Sequence, residues 1–414
     1  MLNKGLLRII SEAAELLERT DDEQKKDFYA SVIESNRALL FLSDRFSRKA
    51  YELAQNEDDM YARQNLLRIA EASKRVPAYP AESFYEALAC IYFIRESYGN
   101  FEGLGMSTYG HLDRMLYKYY KNDVEKGAIT REEAKFLIRA LLSYTDVRYD
   151  KANGEHETST TIVIGGCDRD GNIVYNEVTK IIIEAVKEGR YYGTKILGRV
   201  SSKHPREYIE ELNSILLEKI PVFVYINDDV VIGAEVKHGK DLHDARLYVG
   251  GGCHEIVLSG TEVDTRADAW LNMPQVFLKT LAKREYGTFD ELYGEFLSDA
   301  RALHDRVAEA RNSGEKYWSR YDPAPLYSSS FKSCMQNGRD ITAGGAKYNS
   351  TTLAMVGVAT LVDSLYSVKR LVFDDKRLTC GEFSEILNNN FEGNELLRRE
   401  IIYALPKHFT NSEE

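Results

Sequence analysis

Through the first hundred residues, apolar positions recur every three or four places. Leu39, Leu40, Leu42, Phe46, Ala50, Leu53 and Ala54 trace one such stripe, which predicts a helix with one buried face. Asp58 and Asp59 precede a second stripe, Leu66, Leu67, Ile69 and Ala70. Pro77 and Pro80 close it, because proline has no amide to give to a helical turn. The stretch from Phe84 to Arg95 is largely apolar, and the Ser83 hydroxyl is placed to cap a helix there. Residues 99–109 are rich in glycine and turn formers, so a loop is expected, with helices resuming at Leu112–Tyr120 and Arg131–Tyr144.

Beyond this point the period changes. Thr160–Ile164, Ile196–Val200 and Pro221–Ile226 are short apolar runs that read as buried strands. Val178–Val186 and Tyr208–Leu217 lie between them and read as helices, while Gly165-Gly166 and Asp168–Asn172 read as turns. A short helix is expected at Asp241–Tyr248, and an amphipathic helix explained by core packing at Asp363–Phe373. No repeat, low-complexity tract or flexible linker stands out. Strand–helix alternation of this kind argues for an α/β fold with many helices.

Charge and cysteine usage narrow the function classes. The 414 residues carry 54 basic and 65 acidic side chains, a net charge of −11, so no basic excess exists for a general nucleic-acid binder. No run approaches the roughly 18 apolar residues of a membrane span, and the start M-L-N-K-G-L-L-R lacks the apolar stretch of a signal peptide. The five cysteines (Cys90, Cys167, Cys253, Cys334 and Cys380) form no C-x-x-C pair, which argues against a zinc site or a disulfide framework. Free thiols point to a reducing cytoplasm.

The strongest chemical signal is Gly250-Gly251-Gly252-Cys253-His254-Glu255. Three glycines let the chain turn tightly or approach a ligand closely. If the following residues are extended, Cys253 and Glu255 share a face and His254 points away. A thiol beside a carboxylate can combine a nucleophile or hydrogen-atom relay with a general base. Two other readings stay open: a glycine turn with one buried cysteine, and a Cys253–His254 hydrolase, for which divergent neighbours on a strand are badly placed. The Gly338–Asn349 loop, with Gly344-Gly345, could bind an anion or be a plain turn; it is not a P-loop. His111, in G-H-L-D-R, reads as a structural histidine.

Taken together, these segments resemble the glycyl radical enzymes, the pyruvate formate-lyase-like superfamily. Arg63 to Pro77 looks like the family's helix ending in V-P, and Ser83 to Ala89 like its F-x-E-A-L helix. Gly110 to Asp123 is similar to G-R-x-D-x-x-L-x-x-Y-Y-x-x-D, and Gly165-Gly166 through Asn176-Glu177 to the glycine pair followed by N-E. Pro221 to Ile232 resembles the strand and N-D turn. Gly252-Cys253-x-Glu255, Gly344-Gly345-Ala346-x-Tyr348-Asn349 and Asp363-Ser364-Leu365 follow in the family's order.

The resemblance implies an α/β fold, a partial ten-stranded pyruvate formate-lyase-like barrel surrounded by many helices. It implies a lyase in which Cys253 becomes a thiyl radical and Glu255 serves as base while a C–O, C–C or C–N bond breaks. Pyruvate formate-lyase proper uses two adjacent cysteines, whereas position 254 here is histidine, so the chain looks more like the dehydratase and lyase branch. The family's glycine sits in an R-V-x-G-Y-like loop that this chain lacks; Gly198-Arg199-Val200-Ser201-Ser202 does not match it. Family members are much longer, so residues 1–409 are expected to form an incomplete domain, followed by a tail at 410–414. No bound cofactor or metal is expected. The glycyl radical would come from a separate glycyl-loop protein and be installed by a radical S-adenosylmethionine activating enzyme. The expected partners are these proteins and a small-molecule substrate, with a homodimer as the family expectation and neither nucleic acid nor membrane. The alternative is an inactive remnant that keeps the fold as a structural or binding protein.

Overall fold

The computed structural model describes residues 1–103, 108–145, 160–191, 193–220, 222–251, 255–264 and 269–408. Local chemistry sets the helix starts. Asp22 caps Glu23–Gln55 by accepting from the amides of Gln24 (2.9 Å) and Lys25 (3.2 Å). Asp59 caps Met60–Arg75 through the Ala62 amide, 2.7 Å away, and Ser83 caps Phe84–Glu102 through that of Glu86 at 3.1 Å. This last helix runs through Gly99 and Asn100, where a loop was expected, and stops at Gly103 in the left-handed region with φ 67°. One glycine inside a helix costs about 1 kcal/mol. Burial of Tyr98, whose ring meets that of Tyr327 edge-on at 5.3 Å, offsets that cost.

The described residues divide into two compact units, Met1–Val263 with Trp318–Asn349 and Asp264–Tyr317 with Ser350–Glu414. At the centre of the first lies a three-stranded parallel sheet: β1 (Thr161–Gly165), β2 (Lys195–Val200) and β3 (Phe223–Asn227), in that order. The crossovers are the helices Glu177–Gly189 and Arg206–Leu217. Ile162 pairs with Ile196, and Ile196 with Phe223. One face of the sheet, with Ile162, Ile164 and Ile196, packs into the helical core. The other, with Val163 and Leu197, packs against Val249. Burial on both faces explains why these strands read as unbroken apolar runs. Tyr109 and Val163 amides donate to Thr161 and Gly110 carbonyls, so residues 109–111 line the free side of β1.

Only Leu242–Ala245 is helical within the expected Asp241–Tyr248 helix. Asp241 caps it, and Tyr248 already belongs to β4 (Tyr248–Gly251), which runs antiparallel to β5 (Glu255–Leu258). The second unit is built on Leu271, Phe277, Leu281, Leu292, Phe296, Leu371 and Phe383, buried between helices and a parallel strand pair, Ala269–Asn272 with Leu353–Val356. The helix expected at Asp363–Phe373 begins earlier, at Val358, and passes into a π-helical turn at Lys369–Asp374. Among the described residues no helix is long and apolar enough to cross a membrane. The tail 410–414 and Pro221 lie outside the described residues.

Candidate active site

Glu255 opens β5, half-buried and paired in the ladder with Gly251 of β4. Gly252, Cys253 and His254 lie outside the described residues, so the expectation that Cys253 and Glu255 share a face falls there too. The described residues give the frame that carries this loop, and it is built in an unusual way. β4 lies against the parallel sheet through side chains.

Arg199, at the end of β2, is fully buried. Its Nε and Nη2 donate to both oxygens of Asp228, at 2.7 and 2.9 Å. Its other donors reach the carbonyls of Arg246 (2.9 Å) and Tyr248 (3.3 Å). The guanidinium also lies 3.9 Å from the centre of the Tyr248 ring, while the Tyr248 hydroxyl donates to Asp228 at 2.6 Å. Burial opposes the Arg199 charge, but the Asp228 carboxylate outweighs it and holds the guanidinium above its usual value. Burial also pushes the Tyr248 phenol well up.

Two further groups complete the frame. His111 is buried, with Nε2 3.2 Å from the Leu247 carbonyl. Burial, followed by the charges of Arg114 and Arg199, holds it well below the usual histidine range, so it stays neutral and donates as the structural histidine its sequence context suggests. The Thr161 hydroxyl of β1 donates to the Gly250 carbonyl at 2.5 Å. Gly250 has no room for a side chain, since a Cβ would lie 2.3 Å from Leu197 Cδ1.

The glycine pair at the end of β1 also finds its reason here. Gly165 and Gly166 have φ of 72° and 71°, and a Cβ on Gly166 would lie 2.4 Å from Arg199 Nε. Asp113 accepts from the Gly165 amide at 2.8 Å and from the Thr179 hydroxyl at 2.9 Å. Burial lifts its pKa to about 6.

The other sequence signals resolve more simply. The Gly344 and Gly345 amides donate to the carbonyls of Ile341 and Asp340, and Asp340 caps the turn, so these amides close a turn. Cys90, Cys167, Cys334 and Cys380 are free and buried; burial raises all four thiols, Cys90 to about 11 and Cys334 to about 12. They are therefore poor nucleophiles at neutral pH. Among the described residues no group of three or more His, Cys, Asp or Glu is arranged to hold a metal ion. Sequence reading missed Thr161, Arg199, Asp228 and Tyr248. Arg199 carried the one available signal, a charged residue inside the apolar run K-I-L-G-R-V.

Known proteins share this architecture. The chain is 26% identical to trans-4-hydroxy-L-proline dehydratase of Clostridioides difficile, covering 93% of this chain and 52% of that protein. It is 27% identical to (2S)-3-sulfopropanediol dehydratase of Klebsiella oxytoca, covering 99% and 53%. Among solved structures, the B12-independent glycerol dehydratase of Clostridium butyricum superposes with a TM-score of 0.90 at 28% identity, over 98% of this chain and 55% of that one. The substrate-bound hydroxyproline dehydratase of Clostridioides difficile gives 0.89 at 26% identity, over 99% and 56%. The chain thus spans about half the length of these relatives and has the fold of the glycyl radical enzymes. The model of the family described as pyruvate formate lyase-like matches residues 1–413, and this protein belongs to that family.

Proposed function

We propose that the chain carries the cysteine and the carboxylate of a glycyl radical lyase of dehydratase type, with Cys253 as the thiyl site and Glu255 as the base. The observation that carries the reading is the frame beneath the G-C-x-E motif. Glu255 opens β5 opposite Gly251, beside a strand that is buried at Tyr248, Val249 and Gly250. A radical site needs such shielding from water and oxygen. A glycyl radical, carried by a glycyl-loop segment or protein and installed by a radical S-adenosylmethionine activating enzyme, would supply the abstraction of the Cys253 hydrogen atom. Cys253 then takes a hydrogen atom from a substrate carbon and returns it at the end. Glu255 accepts the proton of a substrate hydroxyl while the neighbouring C–O bond breaks, and the departing hydroxide takes up a proton and leaves as water.

His254, where formate acetyltransfer would call for a second thiol, favours dehydration over acyl transfer. Residues 1–409 act in this reading as the pyruvate formate-lyase-like domain, and a homodimer is its assembly. The dehydratases among the relatives suggest a small hydroxylated substrate.

The test is anaerobic reconstitution with an activating enzyme and a glycyl-loop partner, followed by electron paramagnetic resonance and a screen of small polyols, hydroxy acids and amino alcohols. Radical signal and turnover are expected, with turnover abolished in Cys253→Ala and lowered about 10²–10⁴-fold in Glu255→Gln. Silence with every substrate would favour the remnant reading. Hydrolysis in air without the activating enzyme would favour the cysteine hydrolase.

A further inference from the structure

Strands usually join a sheet through their backbone amides. β4 has its ladder with β5, and carbonyls in β4 and in the two residues before it also accept from side chains of three other elements; that of Leu247 accepts the Ser259 amide as well. Arg199 of β2 holds the carbonyls of Arg246 and Tyr248, His111 holds that of Leu247, and Thr161 of β1 holds that of Gly250. Four carbonyls within five residues are thus fixed by groups that are themselves buried. Leu197 pressing on the bare Gly250 sets how closely β4 approaches the sheet. The segment so fixed ends at Gly250, three residues before Cys253, and the ladder partner of β4 begins at Glu255.

We propose that Thr161, Arg199 and His111 are positioning residues for the Cys253–Glu255 pair. They lock β4 in one register and depth on the parallel sheet, and so fix where the two strands present the loop between them. The proposal rests on the reading of Cys253 and Glu255 given above. Hydrogen-atom transfer is sensitive to placement, and a shift of about 1 Å at a reacting group can cost about 10²-fold in rate. A side-chain lock of this kind adds direction to packing, because a hydrogen bond weakens steeply as its angle departs from linear. Arg199 is the hub, since its planar fork reaches Asp228 and two carbonyls at once, which the single ammonium of a lysine cannot do.

The experiment uses the full chain in Thr161→Val, Arg199→Lys and Gly250→Ala forms. Amide hydrogen exchange is followed by mass spectrometry, and iodoacetamide labelling of Cys253 is followed against pH. Cys90, Cys334 and Cys380 serve as internal references; Cys167 does not, because its Sγ lies 3.9 Å from Arg199 Nη2. Exchange over residues 246–258 is expected to quicken about tenfold, the equivalent of one lost hydrogen bond, while β1–β3 keep the wild-type rate. The pH profile of Cys253 labelling shifts, and the references stay unlabelled. In the reconstituted enzyme, Thr161→Val lowers kcat about tenfold or more with KM retained. Unchanged exchange over 246–258, or equal acceleration in β1–β3 with labelling of the references, overturns the proposal. Thr161→Val keeps the volume of the side chain, so it decides the matter even if Arg199→Lys fails to fold. Turnover surviving in Cys253→Ala would instead remove the functional reading, a result the exchange data cannot mimic.

Discussion

The two units treat charge in opposite ways. Every buried charged side chain among the described residues belongs to the first, including Arg199, Asp228, Asp113, Asp244 and Glu262. The buried polar groups of the second are Thr280 and Ser367, both hydroxyls. Its charges stand at the surface, in a ladder where Lys283 meets Asp299 (2.6 Å) and Arg284 meets Glu291 (2.7 Å) and Glu295 (2.9 Å). Burying an ion pair gains little net stability, because desolvation consumes most of the attraction. The first unit buries one pair completely, Arg199 with Asp228, so this pair holds geometry, and it lies beneath the strand leading to Cys253. The second unit is held by apolar packing and tolerates change at its surface.

The largest effect expected from this difference is at Asp228. Asp228→Ala leaves the Arg199 guanidinium buried without its partner, at a cost of about 3–5 kcal/mol. Urea denaturation followed by exchange at β1–β3 amides measures it, and a loss below about 1 kcal/mol, the range of a surface pair, would remove the distinction between the units. In the second unit the comparable injury is a cavity. Phe277 is 2% exposed and meets Phe296 edge-on at 5.7 Å, so Phe277→Ala should cost about 3–5 kcal/mol, read from exchange in helix Met273–Leu281. Little change there would mean that this core packs loosely.

A smaller effect is carried by pH. Glu102 accepts the amides of Leu326 (2.7 Å) and Tyr327 (2.8 Å), and burial raises its pKa to about 7 against the two hydrogen bonds that lower it. The ordinary value is 4.5, so between 4.5 and about 7 the folded state keeps a proton that the unfolded state has released. The stabilisation from this group is complete below 4.5 and declines as pH rises to about 7. Asp113, at about 6, contributes with the same sign. Glu102→Gln should flatten part of the slope of stability against pH, by on the order of 1 kcal/mol across that window once solvent screening is allowed for. An unchanged slope would mean that Glu102 titrates as an ordinary surface carboxylate.

These contrasts also mark what the sequence could reveal. β1, β2 and β3 were legible because both faces of the sheet are buried, which leaves an apolar run at each strand. Helix starts were legible because Asp59 and Ser83 act within four residues of themselves. The glycine pair and the Cys253–Glu255 motif could be picked out as candidates. The frame under the motif could not, because Thr161 and Gly250 are 89 positions apart and His111 and Leu247 are 136 apart. No local period encodes such a pairing. Asp228 was hidden for another reason: in N-D-D either side chain could cap the helix, and Asn227 does so, accepting from the amides of Asp229 (2.9 Å) and Val230 (3.3 Å). That leaves Asp228 for Arg199.

The smallest expected effect is the most exacting test of the contrast. Lys283 and Arg284 make four charge contacts in the second unit, from 2.6 to 3.3 Å, yet their side chains are 43% and 47% exposed. Water already solvates both ends of each pair, and long side chains lose rotamer freedom when they are held in one geometry. At an ionic strength near 0.15 M the remaining attraction is screened over about 8 Å. Lys283→Met and Arg284→Met, singly and together, should therefore leave the urea midpoint of the second unit unchanged within error, at both low and high salt. Their carboxylate partners relax into solvent, whereas an Arg199 deprived of Asp228 has nowhere to go. A clear loss in the double variant that grows as salt is removed would show that this ladder works as a network, and charge would then hold the second unit as it holds the first.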